Sequence, residues 1–70
     1  MDSRLAFGER LRALRMARGI SQEKLCRMIK ANRNFVGSVE RGKENICLDN
    51  IIRLAKALKV APRELFEGYK

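Results

Sequence analysis

The sequence predicts an all-α fold of five short helices, and three observations carry that expectation. Apolar residues recur at helical spacing in successive segments, no segment alternates as a strand does, and Gly, Ser, Asn and Pro punctuate the places where helices start and stop. With 70 residues, 46% of them hydrophobic, the chain is expected to form one domain over residues 1–70.

The first helix runs from about Ser3 to Arg18, with Phe7, Leu11, Leu14 and Arg18 on one stripe and Gly19 as its left-handed stop. Ser21 is suited to cap the second, over about residues 22–29, where Leu25, Cys26 and Ile29 share a face. Asn32 is the next cap candidate, followed by a helix over about residues 33–41 with Val36 and Val39 inward and Gly42 as its stop. Residues 43–47 read as a loop. Asp49 to Leu58 then aligns Ile51, Ile52, Ala55 and Leu58, and a last helix opens with Pro62 at its first position and Glu64 in its first turn.

Composition removes whole classes of function. No stretch approaches the roughly 18 apolar residues of a membrane span, and no basic-then-apolar leader opens the chain, so a soluble, cytoplasmic protein without membrane association is expected. Cys26 and Cys47 stand far apart without a Cys-x-x-Cys pair, and there is no His, so neither a metal site nor a disulfide framework can be argued. Ser3, Ser21 and Ser38 lack an imidazole to activate them, and no acids are spaced as a metal cluster. An enzyme is not expected, nor a cofactor.

Charge points to a polyanion. The chain carries 16 Lys+Arg against 8 Asp+Glu, a formal net charge of +8, and half of that excess falls between residues 21 and 43. Basic side chains bind phosphates by releasing condensed counterions, although charge alone serves solubility equally well.

The decisive feature is local. Two short helices separated by about three residues match the connection of a helix-turn-helix, whose second helix enters the DNA major groove. On that second helix Arg33, Asn34, Gly37, Ser38 and Arg41 share one polar face opposite Phe35, Val36 and Val39. Arg forks onto guanine and Asn onto adenine, each worth about 1–3 kcal/mol of discrimination. Gly37 inside a helix costs about 1 kcal/mol relative to Ala, which fits close approach of a partner or a tolerated glycine.

Four runs then follow in order: Leu11-Arg12-x-Leu14-Arg15, Gly19-Ile20-Ser21-Gln22-x-x-Leu25, Val36-x-x-Val39-Glu40-Arg41-Gly42-Lys43 and Ile51-Ile52-Arg53-Leu54-Ala55-Lys56-Ala57-Leu58. Together they resemble the xenobiotic-response-element, or phage Cro and repressor, family of helix-turn-helix regulators, from about Phe7 to Phe66. Free-standing chains of this length are similar to restriction-modification controller proteins or small phage regulators. The resemblance implies a compact repressor-like domain in which helices 2 and 3 form the helix-turn-helix.

It also implies roles. Arg33, Asn34, Gly37 and Ser38 would face base edges, whereas Ser21, Gln22, Arg41, Lys43 and Asn45 would hold the sugar-phosphate backbone; only the first set should specify sequence. Arg15 and Glu40 would form a semi-buried ion pair between helix 1 and the recognition helix. Departures from the family pattern are Lys30 in place of the usual turn Gly, Cys26 at the usual small position and Ile46 in place of a loop Pro.

One recognition helix reads few base pairs, so a homodimer on inverted-repeat operators is expected, with half-sites about 34 Å apart. Its interface is expected near residues 62–70, through Leu65, Phe66 and Tyr69, with Ile46 and Leu48 as further candidates. Such a dimer would act at a promoter by blocking RNA polymerase or recruiting it. The rival reading is a protein-interaction or antitoxin-like module without base-specific readout; RNA binding is disfavoured by the shortage of aromatics.

Overall fold

The computed structural model describes residues 2–67. Within them lie helices α1 (Ser3–Ala17), α2 (Gln22–Met28), α3 (Phe35–Glu40) and α4 (Leu48–Leu58), then a 3-10 segment (Pro62–Phe66), with no strand among the described residues. The expected fifth α-helix is therefore corrected to one turn of 3-10 geometry. Its bonds reach back three residues, Glu64 N–H donating to the Ala61 carbonyl at 2.9 Å and Glu67 N–H to the Glu64 carbonyl at 3.4 Å, and Glu67 is already extended, so no i→i+4 ladder follows. The Glu64 carboxylate reaches back to accept from Ala61 N–H at 3.0 Å.

The starts of α1 and α2 follow their side chains. Asp2 Oδ1 accepts from Arg4 N–H at 2.9 Å, and Ser21 Oγ accepts from Lys24 N–H at 3.0 Å. The α3 start is displaced from the expected boundary near residue 33. Asn32 Oδ1 accepts from Asn34 N–H and the Asn32 carbonyl from Phe35 N–H, both at 2.9 Å, so a turn occupies the first two expected helical positions.

All four α-helices end by one device. Gly19, Lys30, Gly42 and Lys59 take φ of 65°, 58°, 73° and 59°. The N–H after each returns five residues: Ile20 to Arg15, Ala31 to Cys26, Lys43 to Ser38 and Val60 to Ala55, at 2.9–3.2 Å. The two lysines do this without glycine's freedom.

The core is continuous, with Leu11, Leu25, Val36, Leu54, Leu58 and Leu65 wholly buried. Complete burial of a leucine contributes about 1.5–3 kcal/mol, so these residues hold the helices against one another. The tightest approach is α1 on α3. A Cβ on Gly8 would collide with the Val39 carbonyl oxygen and lie 2.8 Å from Glu40 Cα, so only glycine permits this crossing. Arg10 closes the far end, its Nε donating to the Glu64 carbonyl at 2.7 Å and its Nη2 to Glu67 Oε1 at 2.8 Å. No helix among the described residues is long and apolar enough to cross a membrane.

Candidate nucleic-acid interface

The anchoring of α3 begins with charge. Arg15 Nε and Nη2 donate to Glu40 Oε2 and Oε1 at 2.7 and 3.1 Å, a forked pair whose side chains are only 11% and 4% exposed. Arg15 Nη1 donates to the Ile20 carbonyl at 2.7 Å, and Gln22 Nε2 to Glu40 Oε1 at 2.9 Å. One carboxylate at the end of α3 thus holds α1 and the first residue of α2, and Arg15 in turn holds the loop between them.

The other end of α3 is held by sulfur. The Cys26 thiol donates to the Arg33 carbonyl and its Sγ accepts from Val36 N–H, each at 3.4 Å, with the side chain buried. Cys26 therefore supplies the partner that α3's second N–H lacks inside the helix. Sequence reasoning marked Cys26 only as a small residue at a helix crossing; no spacing rule announces a thiol used as a cap. It also missed Gly8 and the Arg10 tie.

The proposed base-contacting residues separate into two groups. Arg33 and Asn34 are exposed in the turn leading into α3, and neither side chain has a hydrogen-bond or ion-pair partner among the described residues. Gly37, by contrast, is buried, and a Cβ there would lie 3.2 Å from both Gln22 Oε1 and Arg41 Nη1. Gln22 and Arg41 of this chain thus crowd the space a side chain at position 37 would need. Ser38 is half-buried, with Arg41 Nη2 3.5 Å from its Oγ.

Gln22, Ser38 and Arg41 therefore gather over the middle of α3, while Arg33 and Asn34 extend beyond its first turn. Ser21 and Lys43 are exposed on either side in sequence. Asn45 is exposed as well, but it lines a different cavity of about 190 Å³ shared with Phe7, Ile46, Ile51 and Phe66.

The expected dimer residues also divide. Leu65 is wholly buried inside the protomer, because the 3-10 turn points it at the core, and so it cannot be an interface residue. Phe66 is 42% exposed, its ring centroid 5.5 Å from that of Phe7 at 52°. Ile46 packs half-buried against the core, Leu48 is 71% exposed, and Tyr69 lies outside the described residues.

Two short helices, a three-centre anchor and unpartnered Arg and Asn side chains at the leading turn define a helix-turn-helix unit. The helix-turn-helix profile HTH_3 matches residues 11–65, and the chain belongs to that family. It is 40% identical over 65 residues to the control protein C.BamHI of Bacillus amyloliquefaciens, covering 91% of this chain and 80% of that one. With the control protein C.SmaI of Serratia marcescens the identity is 37% over 65 residues, covering 93% and 77%. The crystal structure of the restriction-modification controller protein C.AhdI from Aeromonas hydrophila superposes with a TM-score of 0.90 at 50% identity, covering 94% of this chain and 100% of that one. The chain is a DNA-binding helix-turn-helix regulator of transcription similar to restriction-modification controller proteins, and its family is one of regulators, not of enzymes.

Proposed function

We propose that this regulator reads a specific duplex sequence as a homodimer on an inverted repeat, in the cytoplasm, with residues 1–70 acting as one domain. The observation that carries the reading is the contrast at α3: Arg33 and Asn34 are exposed and unpartnered, while the helix behind them is fixed by Glu40 and Cys26. Rigid support behind open donors is what base-edge recognition needs, since a misplaced fork loses its bidentate geometry. Ser38 adds a shorter donor beside them. Gln22, Arg41, Lys43 and Ser21 hold phosphates around this face, and Asn45 extends the track along the loop.

The homodimer is assigned to the surface around Phe66, Leu48 and Ile46, with Tyr69 as its remaining candidate. The similarity to control proteins of restriction-modification systems supports a controller role. Occupancy at a promoter then blocks RNA polymerase or, from an adjacent site, recruits it. Selection of bound duplexes from a random pool tests the proposal. Two related half-sites about one helical turn apart are expected, with affinity falling steeply as salt rises; a pool that stays random after selection would sink the reading.

A further inference from the structure

A second surface is lined by none of the residues assigned to duplex DNA. Met28, Ile29 and Lys30 at the end of α2 and Arg53, Lys56 and Ala57 on α4 line an open cavity of about 510 Å³. From Gln22 to Met28 the α2 axis advances about 9 Å, so this cavity sits at the other end of α2 from the Gln22–Glu40 contact. It has an apolar floor of Ile29 and Ala57, with Met28 44% exposed at its side. Its three cations have no ion-pair partner among the described residues, and no acid lines it.

One of the three cations is held there at some cost. Lys30 takes the left-handed conformation in which glycine would be relaxed, yet the position that lines this cavity carries a lysine. Arg53 and Lys56 are three apart on α4, and Ala57 is four from Arg53, so all three rise from one helical face.

We propose that this cavity docks an acidic amphipathic helix of a protein partner. Its apolar residues seat against Ile29, Ala57 and the adaptable thioether of Met28, while its carboxylates meet Lys30, Arg53 and Lys56. An apolar floor suits such a helix better than a sugar-phosphate backbone, which offers nothing to bury there. The proposal does not depend on which residues read bases.

The test uses the whole chain and a fluorescein-labelled helical peptide of about 15 residues, with Leu at i, i+3, i+4 and i+7 and Asp/Glu elsewhere. A peptide of the same composition with its leucines permuted controls for bulk charge. Anisotropy at physiological salt should show saturable binding of the striped peptide, at least about fivefold weaker for the permuted one. Reversing Lys30, Arg53 and Lys56 to Glu should weaken binding about tenfold, whereas reversing Arg4, Arg12 and Arg18 should change it by less than about twofold. Lys30→Gly keeps the fold testable by relaxing the backbone: it should raise Tm while still weakening the peptide. Equal binding of both peptides, equal loss from either set of reversals, or undiminished binding by Lys30→Gly overturns the proposal. So does a duplex titration in which Lys30→Glu/Arg53→Glu/Lys56→Glu loses as much affinity as the same reversals at three cations assigned to DNA, Arg33→Glu/Arg41→Glu/Lys43→Glu, because the cavity would then belong to the DNA track.

Discussion

Arg15 and Glu40 are joined by two hydrogen bonds of 2.7 and 3.1 Å across the crossing of α1 and α3. Because both side chains are nearly buried, removal of either strands a charge out of water. Arg15→Ala and Glu40→Ala should each lower unfolding free energy by about 2–4 kcal/mol, and the double variant should lose less than the sum. Urea titration of the three variants decides; single losses below about 0.5 kcal/mol would make the pair decorative.

The Cys26 thiol is expected to be inert but structurally necessary. Cys26→Ala leaves the Val36 N–H buried without its sulfur acceptor and should cost about 1–3 kcal/mol. In the folded protein iodoacetamide should label exposed Cys47 and spare Cys26. Equal labelling rates would contradict the packing.

Lys59 ends α4 with φ of 59°, a conformation that glycine adopts without strain. Lys59→Gly should therefore stabilise the fold by about 0.5–1 kcal/mol, seen as a Tm rise of about 2–8 °C. A lower Tm would show that the lysine side chain contributes more than its backbone strain removes.

Gly8→Ala should be among the most damaging single-methyl changes, since the new carbon meets backbone of α3 with no flexible neighbour to yield. A loss of about 2 kcal/mol or more is expected in thermal or urea unfolding. Tolerance of Ala would mean that α1 can slide on α3.

On operator DNA, Arg33→Ala and Asn34→Ala should relax preference at particular base positions, whereas Lys43→Ala should weaken all duplexes alike and reduce the salt slope by about one. Binding to a panel of single-base variants separates these outcomes. Uniform weakening by Arg33→Ala would move that residue from the bases to the phosphates.

Much of this architecture is legible in the sequence because helix punctuation is local chemistry. Ser21, Gly19 and Gly42 act through their own side chain or its absence, so reading them needs no knowledge of neighbours. What escaped depends on distant partners. Leu65 presents the same apolar side chain whether it meets a second protomer or its own core, and only the 3-10 turn selects the core. Gly37 is open to two readings for a related reason: an interior glycine shows that something comes close, not that it is Gln22 and Arg41. Asn32 has the chemistry of a cap, but it closes a turn onto Asn34 N–H and α3 starts two residues later than the expected boundary.

The glycine in the middle of α3 also limits how this protein can be re-engineered. Since a side chain from α2 roofs that position, the exterior there is a composite of two helices. Grafting residues 33–41 alone onto a sister scaffold would transfer an incomplete surface; Arg15 and Gln22, which hold Glu40, and Cys26, which caps Val36, have to travel with them as one cassette.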